Sequence, residues 1–280
     1  MKFGANTLIW SAEYDAAVEE VLPAIKENGF DGIEFPVFRP STVSPSRVRK
    51  ALQANGLECN TVSAFFDGLS IISDDVLIRR ASIQRLKEMI SVSAECGAAT
   101  LSGPMYCPVG YLTGRRRTSE EWSWAVDGYQ QVVDTLVEFG VTLAIEPLNR
   151  FETFFLNTAD DARQLCKDVG NSRVGILYDT FHANIEEKDI ADGLLTVGEH
   201  LKLVHACEND RGTPGSGHVE WERVFAAIRE LGYDGWLTIE SFGFSTGDLS
   251  AAASIWRNLA VTPSAIAYDG VRFLKQAHAA

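Results

Sequence analysis

Seven times along this chain an amphipathic stretch stops at a glycine, and a short apolar segment begins within a few residues: ENGFDGIEF, ANGLECNTV, ECGAATLSG, EFGVTLAIE, DVGNSRVGILYD, TVGEHLKLVHA and ELGYDGWLTIE. Glycine at that point supplies the left-handed conformation that ends a helix before the chain turns into a strand. Gly29, Gly56, Gly97, Gly140, Gly170, Gly198 and Gly232 follow one another at intervals of 27 to 43 residues. Each interval holds one helix and one strand, and strands joined through helices run parallel. Adding Phe3 to Ile9 as a first strand gives eight, which predicts an α/β protein of the (β/α)8 TIM-barrel class, one domain spanning residues 1–280. An open doubly wound sheet is the runner-up; the GxGxxG expected after its first strand is absent.

Strands are expected near 3–9, 31–35, 57–63, 98–102, 141–146, 174–179, 201–206 and 236–240. Helices are expected near 15–28, 45–55, 75–96, 119–139, 158–169, 189–199, 220–231 and 248–275.

Composition narrows the partners. A net charge of −13 repels polyanions, so nucleic acid is not an expected ligand. No run approaches the roughly 20 apolar residues of a membrane span, and the start MKFGANTLIW lacks the character of a signal peptide, so a cytoplasmic location is expected. Five cysteines without CxxC spacing suggest reduced core residues rather than disulfides or a zinc ribbon.

Catalytic groups in such a barrel come from the carboxyl ends of strands and the loops that follow. That position holds Glu34, Glu146, Asp179, His205 and Glu240. Glu146 poses the problem most sharply, because a buried carboxylate at the end of an apolar strand is costly unless it is paired or bound to a metal. One acid at a strand end is as readily a helix cap or the partner of an arginine. Four ionisable groups on strands five to eight, however, would meet at one mouth and repel one another unless a cation lay among them. Oxygen and nitrogen donors without a thiolate suit Mn²⁺, Mg²⁺ or Co²⁺, with zinc as a further option. A Lewis acid between two glutamates is equipped to stabilise an enediolate while the carboxylates move a proton, the chemistry that epimerises or isomerises an α-hydroxy carbonyl compound such as a sugar.

The loops after these strands add Asn149, Arg150 and Glu152, then His182, then Glu208 and Arg211. His182 and Arg211 read as donors to substrate oxygens, against the alternatives of a neutral packed histidine and a surface arginine. The loop after strand four is long enough for a lid, and its Arg115 to Arg117 run reads as a solvated face or an inter-subunit contact. Trp10 and Phe66 are candidate apolar walls or ordinary core. GFSTGD, residues 243–248, lies where barrels bind phosphate, but no basic residue accompanies it, which favours a neutral sugar.

The segments IEPLNRFETFFLNT, YDTFHANIEE, HACENDRGTPGSGHVEW and DGWLTIESF resemble the ketose 3-epimerases, the D-tagatose and D-allulose (D-psicose) 3-epimerase group of the sugar phosphate isomerase/epimerase-like barrels. The resemblance is strongest from residue 140 to 260. It implies a divalent metal, Mn²⁺ first and Mg²⁺ or Co²⁺ otherwise, on Glu146, Asp179, His205 and Glu240. It also implies Glu146 and Glu240 as the acid/base pair that inverts C3 of a ketose through a cis-enediolate, with Glu152, His182 and Arg211 holding the substrate's oxygens, in a homodimer or homotetramer. Ser241 departs from the family's common Glu-Pro pattern. Related barrels isomerise aldoses or cleave 3-oxo-glycosides with a similar site, and others are DNA-repair endonucleases, a reading that the acidic balance opposes.

Overall fold

The computed structural model describes residues 1–243, 250–251 and 253–279. Eight parallel strands close into a barrel in sequence order: β1 Lys2–Asn6, β2 Gly32–Pro36, β3 Glu58–Val62, β4 Thr100–Gly103, β5 Thr142–Ile145, β6 Val174–Asp179, β7 Leu201–His205 and β8 Trp236–Ile239. The seam is made by β8 against β1, with Lys2 opposite Trp236 and Ala5 opposite Ile239. Among the described residues the helices are α1 Ala16–Glu27, α2 Pro45–Asn55, α3 Val76–Cys96, α4 Ser119–Gln130, α5 Val133–Phe139, α6 Ala159–Val169, α7 Thr180–Glu186, α8 Ile190–Val197, α9 Trp221–Glu230 and α10 Pro263–Ala279. None of them is long and apolar enough to cross a membrane.

All seven punctuating glycines have positive φ, between 60° and 93°. A different glycine matters most for the site. Gly103 ends β4 at φ 120°, and a Cβ there would collide with the Ser63 carbonyl oxygen. Its own carbonyl accepts the Glu146 N–H at 3.2 Å, so this close approach of backbones sets the height at which β5 delivers Glu146. Gly103→Ala combines a forbidden conformation with a backbone clash, and an expected loss above about 4 kcal/mol would appear as failure to fold in a urea titration.

Side chains alternate across each strand, so residues two apart share the barrel interior. Ala144, Leu177 and Leu203 form a small buried cluster with Trp236 at its edge. The residues two steps further along β5, β6 and β7 are Glu146, Asp179 and His205. The apolar layer thus closes the bottom of the barrel directly beneath the charged one.

Four expected boundaries change, each for a local reason. The first strand stops at Asn6, whose side-chain oxygen accepts the Leu8 N–H at 2.9 Å and starts a 3-10 turn over Thr7–Ile9. The single helix expected over 119–139 is two, because Val132 N–H turns back three residues to Tyr129 O and interrupts the four-residue ladder. A short helix, α7, was not expected; Asp179 caps it through its acceptance of the Phe181 N–H at 2.6 Å. The helix expected over 248–275 is broken: residues 253–262 are not helical, and a helix begins at Pro263, where Thr262 Oγ1 accepts from Ala265 N–H at 3.1 Å. Threonine at the cap followed by proline in the first turn is a helix-start signal, because proline's fixed φ suits the first turn and its missing N–H costs nothing there. The candidate phosphate segment 243–248 lies, beyond Gly243, outside the described residues.

Candidate active site

The four strand-end groups converge. One ligating atom from each of Glu146, Asp179, His205 and Glu240 lies within 4.8 Å of all the others, and all four residues are buried. His205 Nδ1 is 3.4 Å from Glu240 Oε1, 3.8 Å from Asp179 Oδ2 and 3.9 Å from Glu146 Oε1. Asp179 points one oxygen at the start of α7 and the other into this cluster. Behind His205, Nε2 sits 2.7 Å from Glu34 Oε2.

Two buried atoms in the cluster, Glu146 Oε1 and His205 Nδ1, have no hydrogen-bond partner among the described residues. A buried polar atom left unmatched costs about 1–3 kcal/mol, so two aimed at one point need something between them. Oxygens around an ion at about 2.1 Å stand at most about 4.2 Å apart, so these four groups close on a divalent ion with small side-chain adjustments. The residues present fit such an ion.

The electrostatics agree. Burial, then the neighbouring Glu240 carboxylate, push the Glu146 carboxyl well above the usual range. Burial also opposes charge on His205, but Glu34, Glu240 and Asp179 outweigh it and raise the imidazole well above its ordinary value. For Asp179 burial is likewise overcome, by His205, His182 and Arg211, and its carboxyl is held low. The metal-free cluster therefore retains protons that a cation would displace.

A second tier of groups borders the same cavity of about 500 Å³, which Glu146, Glu240, Glu152, His182 and Arg211 all line. His182 Nδ1 accepts the Asn149 backbone N–H at 3.0 Å, which leaves its Nε2–H directed inward, 3.7 Å from Glu146 Oε1. Burial lowers the His182 imidazole, favouring this neutral form. Arg211 donates to Glu240 at 3.2 Å and to Glu152 at 3.3 Å, with its guanidinium between the Phe181 and Phe242 rings, 4.1 and 4.6 Å from their centroids. Burial disfavours ionised Glu152, yet Arg211 and His182 more than offset it, so its carboxyl is lowered. Arg211 holds a left-handed φ of 63°, rare for a side chain of this size. Ser241, the departure from the Glu-Pro pattern, donates its hydroxyl to the Arg211 carbonyl at 2.7 Å and helps fix that turn. The far wall is apolar, with Leu8, Phe38, Phe66 and Val109.

Other candidates lie elsewhere. Trp10 donates to Ser264 and packs beside Tyr268 rather than lining the cavity. Arg150 pairs with Glu186. Glu208 is a loop staple that accepts from Gly215, Val219 and the Trp221 indole. In the arginine run Arg115 and Arg116 are exposed, Arg115 while clasping Glu121, and Arg117 clasps Asp161 and stacks on Trp122. All five cysteines are buried and unpaired. Cys207 Sγ lies 3.3 Å from Asp179 Oδ2, and burial, then Asp179 and Glu240, push its thiol well up, which disfavours a thiolate there.

Residues 22–277 match the xylose isomerase-like TIM barrel family. A probable ketose 3-epimerase of Synechocystis sp. is 37% identical over 99% of this chain and 97% of its own. The ketose 3-epimerase of Arthrobacter globiformis is 33% identical over 92% and 90% of the two chains. The crystal structure of a Methylomonas sp. D-allulose 3-epimerase in complex with D-allulose superposes with a TM-score of 0.93 at 27% identity, covering 99% and 96%. With its closed barrel and its Glu-Asp-His-Glu cluster, the chain belongs to the xylose isomerase-like TIM barrel family and, within it, to the ketose 3-epimerase group.

Proposed function

We propose that this enzyme epimerises a free ketose such as D-allulose, D-tagatose or D-fructose at C3, with Mn²⁺ held by Glu146, Asp179, His205 and Glu240. The observation that carries this is the pair Glu146 and Glu240, two carboxylates that share one cluster and line one cavity. Inversion at a carbon needs a base on one face and an acid on the other, and a pair of glutamates brought in from β5 and β8 supplies both. The bound ion would supply Lewis-acid stabilisation of the negative charge that develops on the substrate's carbonyl and hydroxyl oxygens.

The chain's own residues do the rest. One glutamate removes the C3 proton and the other returns a proton to the opposite face. A carboxyl raised by burial, as Glu146 is, keeps a proton to donate nearer neutral pH and is a stronger base once ionised than an exposed one. His182 Nε2–H and the Arg211 guanidinium donate to the substrate's oxygens, and Glu152 accepts from a hydroxyl while anchoring Arg211. The Phe181 and Phe242 rings keep Arg211 from swinging away. The barrel floor of Ala144, Leu177 and Leu203 excludes water from below.

Incubation with Mn²⁺ and each ketose in D₂O is expected to give the C3 epimer carrying one deuteron at C3, read by NMR. Epimer formed without solvent deuterium would remove the two-glutamate proton transfer, and no exchange with any free ketose would point to a glycosidic or phosphorylated substrate.

A further inference from the structure

Glu34 is fully buried at the inner face of β2, and among the described residues no lysine or arginine pairs with it. Its Oε2 is 2.8 Å from Asn6 Nδ2 and 2.7 Å from His205 Nε2, and the Ser102 hydroxyl donates to Oε1 at 2.7 Å. The Asn6 amide is not free to flip, because its oxygen already accepts the Leu8 N–H. Asn6 therefore presents its NH₂ to Glu34, and Oε2 is an acceptor. An acceptor 2.7 Å from a ring nitrogen requires a proton on that nitrogen. When His205 is neutral, that proton sits on Nε2 and Nδ1 bears a lone pair. Nδ1 is the buried, unpartnered atom that faces Glu146, Asp179 and Glu240.

We infer that Glu34 is a positioning residue for metal ligation: it accepts the His205 Nε2–H, fixes the ring's rotation and tautomer, and so aims the Nδ1 lone pair into the carboxylate cluster. This rests on the metal reading of the site proposed above. The hydrogen-bonded carboxylate also makes the imidazole a more basic ligand, and removal of such partners typically weakens metal binding by about 10–100-fold. Asn6 and Ser102 complete the device by holding the carboxylate that holds the ring.

The test is Mn²⁺ binding to wild type and Glu34→Gln, measured by the EPR signal of free Mn²⁺ and set beside the melting temperature of each metal-free protein. The expected result is one site in wild type and a dissociation constant raised about 10–100-fold in the variant. A role confined to barrel packing would instead lower the metal-free melting temperature and leave the dissociation constant unchanged, which overturns the inference. A wild type that takes up no divalent ion overturns the metal reading and the inference together. Should Glu34→Gln not fold, ¹⁵N-histidine NMR of the wild type loaded with diamagnetic Zn²⁺ decides the matter. The expected spectrum shows His205, assigned by its loss in His205→Gln, protonated at Nε2 and not at Nδ1; protonation at Nδ1 overturns the inference.

Discussion

Replacing Glu146 or Glu240 with glutamine is expected to lower kcat for C3 inversion by about 10³-fold or more at saturating Mn²⁺. A positioned acid or base contributes about 10²–10⁴-fold, and each residue also ligates the proposed ion. The isosteric amide keeps the volume and an oxygen donor, so the fold should survive. A finer result separates the two residues. If each carboxylate serves one face of C3, each single variant should still exchange the C3 hydrogen of one epimer with D₂O while failing to invert it. NMR exchange measured separately from each epimer reads this, and a variant retaining more than a tenth of wild-type inversion would sink the two-base mechanism.

Chelation should abolish activity and reduce stability together. At free Mn²⁺ a hundredfold above its dissociation constant, binding adds about 2.7 kcal/mol to the folded state. In a chain of this size that corresponds to roughly 5 °C in melting temperature, lost on adding EDTA and regained with excess Mn²⁺. The affinity should depend on pH in a definite direction. Glu146 and His205 both hold protons more tightly than usual in the metal-free cluster, and both must release them to bind. Affinity should therefore fall as pH drops, by up to about tenfold per unit for each proton displaced. Calorimetry across pH, in two buffers of different ionisation enthalpy, would count those protons; affinity rising toward acid would contradict the electrostatics described.

Some of this molecule could be read before it was folded, and the reasons are physical. The positive φ that follows seven of the helices favours glycine strongly, so Gly29 through Gly232 spelled out the repeat. An ionisable residue at the end of an apolar strand is conspicuous because burial penalises it, which is why Glu146, Asp179, His205 and Glu240 stood out. Glu34 was visible by the same rule, but its partner was not: His205 is 171 residues away in sequence, and the adjacency exists only once the barrel closes. The α7 helix escaped because seven residues hold too few turns to show a period, although Asp179 as its cap is a readable signal. The start of α10 is legible as Thr262-Pro263, but the local cap competes with a longer run of helix-compatible residues before it. Arg211 could be placed near the site by its loop, but its left-handed backbone and its aromatic bracket are properties of packing alone.

The seam between β1 and β8 has a bearing on assembly. The four proposed ligands lie between residues 146 and 240, and the carboxylate behind His205 is on β2. A chain folded only through β7 lacks Glu240, and a detached second half keeps the four ligands but lacks Glu34 behind His205. Binding energy from the ion is thus realised in full only when β2 and β8 are both in place. Metal uptake during refolding should lag the growth of helical signal and coincide with closure, making the cation a latch on the finished barrel rather than a nucleus for it.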